Sequence, residues 1–276
     1  MATKIWTGET NNTYATSTNW VNNSAPGSAD DVFIQGSVNI DGADQSGTAI
    51  GSFTVLPGYT GTIGGLETVL QIDTNAFDFS GQGISYIDLG GSTPNGTTLN
   101  VRDTAIPGVS GQAGLYLDLL SSTGIVLNVT KGYVQTPRHG DTAKIATVNV
   151  GHETSPGSDA YVSLKTGLTI DTGINVLGGL VELGVNAGVV TVAGGALIHK
   201  AGTITTLNMR GGTAILKSTG TITTLNAQSG SVDYSQDGLS KTVTTLNAYG
   251  ASIRLDPNAV TVTNAIGSLG AITFSR

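Results

Sequence analysis

The sequence contains no cysteine. That excludes a disulfide framework and any thiolate metal site. Charge is also sparse: Asp, Glu, Lys and Arg make up 11% of the 276 residues, against roughly a quarter in an ordinary globular protein. The 12 Lys and Arg are scattered singly and the formal net charge is −7. Nucleic-acid binding needs clustered cations to neutralise phosphates, so no nucleic-acid partner is expected. No apolar run is long enough to cross a bilayer as a helix, and no membrane partner is expected. No window sets an apolar stripe at helical spacing opposite charged residues, so almost no helix is expected. The opening Met1-Ala2-Thr3-Lys4-Ile5-Trp6 lacks the basic segment and apolar stretch of a secretory signal. The expectation is therefore folding in a cytoplasm, with the sequons at Asn22, Asn95 and Asn128 unglycosylated.

Catalytic signatures are missing as well. There is no Gly-x-Ser-x-Gly elbow, Walker loop, dinucleotide fingerprint or EF-hand loop. His139, His152 and His199 are far apart in the chain, and His152-Glu153 has no second His at metalloprotease spacing. No catalytic residue, cofactor or metal site is expected.

What is present is repetition. Thr203-Ile204-Thr205-Thr206-Leu207-Asn208 returns as Thr221-Ile222-Thr223-Thr224-Leu225-Asn226. It returns again as Thr242-Val243-Thr244-Thr245-Leu246-Asn247. Short β-type segments at such spacing mark a solenoid, each repeat forming one coil stacked on the last. Each unit reads as strand, Gly turn, strand, second turn, with Gly pairs at 178–179, 194–195 and 211–212. Parallel stacking predicts one core column of Ile204, Ile222 and Val243 and another of Leu207, Leu225 and Leu246. Asn208, Asn226 and Asn247 would then form an amide ladder inside a turn, with Asn264 matching loosely. Unequal repeat lengths favour a β-helix with loops bulging from its corners, and parallel crossovers favour a right-handed one. The fold class expected is all-β: a single-chain right-handed parallel β-helix over residues 41–276, with an N-terminal cap or docking segment over residues 1–40. Longer inserts around 91–97, 105–114, 131–144 and 151–160 read as edge loops.

Residues 1–40 hold both tryptophans, Trp6 and Trp20. Two indoles buried over the first coil would close an otherwise open core end; exposed and coplanar, they would instead form a docking or glycan-stacking platform. Asp73, Asp88, Asp103 and Asp118 recur at 15-residue steps. Coils of that length would stack them ~4.8 Å apart, as a cation row or an acid–base track for polysaccharide cleavage. In that register Arg102 would point inward. The plainer reading is solvated Asp at strand ends. Outward Thr205, Thr223 and Thr244 suit ice or ordered water, but Thr is also simply a good strand residue.

The opening Trp6-Thr7-Gly8, Asn19-Trp20, Pro26 and Asp30-Asp31-Val32-Phe33-Ile34, followed by Gly/Thr/Asn-rich coils, resembles the start of β-helical surface proteins. These include adhesin passengers and bacteriophage virion proteins. The resemblance covers architecture over nearly the whole chain and supplies no functional residue. It implies a structural protein of the virion surface, a capsid decoration (cement) protein docking on the major capsid protein or another virion protein. Self-association, for example as a trimer, is expected of such rods. The alternatives are a tail-spike-like polysaccharide binder or cleaver working through the aspartates, and a bacterial adhesin fragment.

Overall fold

A computed structural model describes residues 2–74, 76–89, 96–106, 112–119, 123–137, 142–151, 159–267 and 272–274. The chain divides into two compact units, Met1–Ile145 and Ala146–Arg276. Among the described residues there is no α-helix, only the short 3-10 turns Ser17–Asn19 and Val21–Asn23. Each unit is a parallel β-helix.

In the first unit two stacks alternate along the chain. One runs Thr3–Ile5, Asp31–Ile34, Ser52–Val55, Phe77–Phe79, Thr98–Val101 and Thr123–Val129, every neighbouring pair parallel. The other holds Ala43–Ile50, Leu70–Thr74, Ser85–Asp88, Leu115–Asp118 and Gly132–Thr136, also parallel. Side chains alternate in and out along a strand, so register builds columns. Val32, Phe53, Phe77, Leu99 and Leu127 fall in one line and are all fully buried or 1% exposed. Phe53 and Phe77 stack with ring centroids 6.0 Å apart.

Two expectations are corrected here. Residues 1–40 are not a separate segment: Thr3–Ile5 and Asp31–Ile34 are the first two rungs, and the cap is the chain between them. The region 131–144 is not simply a loop, because Gly132–Thr136 is a buried strand parallel to Leu115–Asp118. Its five residues, Gln135 and Thr136 among them, are all buried, so no apolar alternation marked it. Most of the other expected loop residues lie outside the described residues, as do His139 and His152.

In the second unit Ile204 pairs with Ile222, Ile222 with Val243, and Val243 with Val262. Leu207, Leu225 and Leu246 form the adjoining line. All six residues of these two expected columns are at most 2% exposed. A column of Gly179, Gly195, Gly212 and Gly230 runs along one bend of the coils, with φ of 71, 64, 65 and 85°. A Cβ on Gly212 would lie 2.4 Å from Gly195 O, and one on Gly230 2.5 Å from Gly212 O. Glycine is thus required twice, by the left-handed backbone and by the close approach of the coil beneath. Gly212→Ala is expected to cost at least about 2 kcal/mol in urea unfolding. Gly47→Ala, where φ is ordinary and the Cβ meets nothing within 4 Å, should stay within about 0.5 kcal/mol.

Candidate functional site

The cap is a buried aromatic cluster. Trp6, Tyr14 and Trp20 are each 1% exposed. Trp20 meets Trp6 and Tyr14 edge-on, at centroid distances of 5.2 and 4.9 Å, the arrangement that ring quadrupoles favour. Trp20 Nε1 donates to Tyr14 O at 2.7 Å and Trp6 Nε1 to Val38 O at 3.3 Å. Neither indole is exposed as a docking or stacking platform. Asn19, fully buried, holds the loop in place. Its Oδ1 accepts from the backbone N of Thr10 and Asn11, and its Nδ2 donates to Asn11 Oδ1 and Thr13 O. Asp30 ties the ends of the loop by accepting from Gly27 N (3.0 Å) and Ala2 N (2.8 Å). Those bonds hold its carboxyl below the usual carboxylate range.

The asparagines form ladders, but on the outward, half-buried face of a strand rather than in a turn. Asn226 Nδ2 donates to Asn208 Oδ1 at 2.8 Å, and Asn247 Nδ2 to Asn226 Oδ1 at 2.7 Å. Asn264 does not join: it stands beside Thr245, and Ile266 follows Asn247. Two further links escaped the sequence reading. Asn175 Nδ2 donates to Asn149 Oδ1 at 2.8 Å, and in the first unit Asn128 Nδ2 donates to Asn100 Oδ1 at 2.9 Å. The signal was there: Leu99-Asn100-Val101, Leu127-Asn128-Val129, Val148-Asn149-Val150 and Ile174-Asn175-Val176 all place Asn between two core residues. Beside the second-unit ladder, Thr206, Thr224, Thr245 and Asn264 form another outward column. Thr205 and Thr223 are exposed and Thr244 half-buried. These columns carry no charge.

The four-aspartate row does not form. Only Asp88 and Asp118 are cross-strand neighbours, and Gln71 occupies the place next to Asp88. Asp73 pairs in register with Ala49. Asp103 instead bonds Lys131 at 3.0 Å. The rungs differ in length, so a constant 15-residue step does not return to one column. Arg102 points outward rather than inward and grips Asp78 through Nε (2.8 and 2.7 Å) and Nη2 (2.7 Å). What remains is a compact, buried cluster in the first unit. Asp88 and Asp118 are 7% and 4% exposed, Gln71 Nε2 donates to Asp88 Oδ2 at 3.3 Å, and Tyr86 stacks on Tyr116 at 4.7 Å. Paired carboxylates beside aromatic rings can bind or protonate a glycan oxygen.

His199 is an interior residue. It sits in register between Leu183 and Leu216 and is 1% exposed, with Nε2 3.0 Å from Gly202 O. Near the next corner Lys241, 2% exposed, donates to Asp237 and to Leu239 O. Burial raises the Asp237 carboxyl, but hydrogen bonds from Lys241 and Leu239 N and the charge of Lys241 outweigh it and leave it low. Among the described residues no three His, Cys, Asp or Glu come together as a metal site. Comparison with protein-family models, curated proteins and solved structures finds no match.

Proposed function

We propose that the protein is a structural component of a virion surface, a capsid decoration protein that docks on the outside of a bacteriophage head. The observation that carries this reading is a pair of uncharged columns on the outward side of the second unit. There Thr and Asn columns run rung over rung, and the Asn amides are tied to one another. Side chains already fixed in ladders lose little entropy on docking, and an array without charge suits a partner met by shape and hydrogen bonding. A repeating face also fits a repeating lattice. Neighbouring head and portal genes would identify the particle to use. Mixed with undecorated heads, the protein should co-sediment at a fixed ratio and raise the temperature at which they break. Heads that sediment bare contradict the reading.

The Asp88–Asp118 pair beside Tyr86 and Tyr116 favours a second reading, a polysaccharide-binding or polysaccharide-cleaving β-helix. Capsular polysaccharide incubated with the protein would then yield new reducing ends, and Asp88→Asn would abolish them. No release from any host capsule removes cleavage, and no retention of the protein on immobilised capsule removes binding.

A further inference from the structure

Lysine is stacked at one corner of the second unit. Gly184 N bonds to Leu164 O (2.8 Å), Lys200 N to Leu183 O (2.7 Å) and Lys217 N to His199 O (2.9 Å). These bonds set Lys165, Gly184, Lys200 and Lys217 one above another. At ~4.8 Å per rung, Lys165 and Lys200 lie roughly 10 Å apart, with a glycine between them. A cavity of about 280 Å³ opens there, lined by Lys165, Lys200, Glu182 and the buried Ser163 among others. Gly184 contributes no side chain to it, and a Cβ there would come 2.9 Å from Leu164 O.

The polar groups around this notch are of two kinds. Lys200 Nζ lies 2.6 Å from Glu182 Oε1, and the Glu182 side chain is 18% exposed. Lys165 is exposed and has no ion pair among the described residues. The notch therefore holds two ammonium groups and one carboxylate, a local excess of one positive charge on a chain of net −7. Such a site asks its ligand for an anion to meet Lys165 and for hydroxyl donors to meet Glu182. An acidic peptide side chain brings the anion without the donors. Nucleic acid brings a dense row of phosphates, for which one excess charge releases too few counterions. A sugar acid carries a carboxylate and several hydroxyls on one ring, and an open notch of about 280 Å³ has room for one such ring.

We propose that the notch over Gly184 binds a uronate residue of an acidic polysaccharide, its carboxylate on Lys165 and Lys200 and a ring hydroxyl donating to Glu182. This site is distant in sequence from Asp88 and Asp118, and it stands whether or not the protein decorates a phage head. The probe is trigalacturonate, titrated calorimetrically into the full chain at low salt. Saturable binding is expected, weakened about tenfold by Lys165→Ala because a charge-assisted hydrogen bond is lost. Glu182→Gln should weaken it as well. Lys131→Ala, a cation in the other unit already paired with Asp103, should leave it unchanged, and each variant should melt at the parent's temperature. Neutral maltotriose should not bind. Failure of trigalacturonate to bind, or equal binding by Lys165→Ala, would overturn the site. Equal binding of a triglutamate peptide would overturn the sugar assignment.

Discussion

Trp20→Ala is expected to cost the first unit about 3–5 kcal/mol, the range for deleting a large buried aromatic side chain. The indole is 1% exposed and contacts two other rings edge-on. Its deletion removes those contacts, leaves Tyr14 O without the 2.7 Å bond from Nε1, and leaves a void beside Trp6 and Tyr14. Collapse cannot refill the space cheaply, because Asn19 fixes the surrounding loop through four side-chain hydrogen bonds. Guanidinium unfolding followed by the emission of the remaining Trp6 reads the effect directly. Tyr249→Ala, at a side chain 61% exposed in the other unit, is the control and should stay within about 0.5 kcal/mol. A Trp20→Ala midpoint equal to the control's would mean that the rings do not close the core.

The second large effect is acid sensitivity in the second unit. An unfolded histidine titrates near 6.5. Burial pulls His199 down to about 4, against the smaller opposing pull of hydrogen bonds to the Gly202 and Ala201 backbone. Between those values the unfolded chain binds a proton that the native one refuses, so stability rises with pH there. The contribution is fully present above about 6.5, is lost as pH falls toward 4, and is worth about 3 kcal/mol in all. His199→Leu should abolish this loss, since the coils on either side place Leu183 and Leu216 in the same column. At pH 7 the replacement should change stability by less than about 1.5 kcal/mol. Carboxylates held low, such as Asp30, Asp233 and Asp237, still contribute a further loss below about pH 4. Urea unfolding at pH 7.5, 5.5 and 4.5 separates the two groups: a His199→Leu protein as acid-labile as the parent assigns the lability elsewhere.

The second unit was readable because its coils vary less in length than those of the first and several of its bends fall on glycine pairs. Stacking Ile204 on Ile222 and Leu207 on Leu225 needed only the repeated hexapeptide. The first unit was harder. Its rungs are separated by inserts of unequal length, so Asp88 and Asp118 meet while Asp73 and Asp103 go elsewhere. Spacing in sequence predicts a column only when the coil length is constant. The Asn100–Asn128 link was hidden for the same reason, although its local pattern, Asn between two core residues, is the one seen in the second unit. The sequence reading put the asparagines inside a turn; alternation places them on the outward side of a strand, since the residues flanking Asn208, Leu207 and Met209, are both fully buried. The lysine notch left no sequence signal, because Lys165, Gly184 and Lys200 become neighbours only through the stacking of three coils.

A cysteine-free chain allows the stacking itself to be tested by engineered cross-linking. Thr206 and Thr224 are half-buried and opposite one another in register, at the ~4.8 Å spacing of adjacent strands. That lies inside the Cα separation a disulfide tolerates. The double substitution Thr206→Cys with Thr224→Cys should therefore oxidise readily to an intramolecular bridge. Thr206→Cys with Asn226→Cys, displaced by two residues along the strand, should remain reduced, because its Cα atoms stand roughly 8 Å apart. Bridging of the displaced pair, or of neither, would show that these coils do not lie in parallel register.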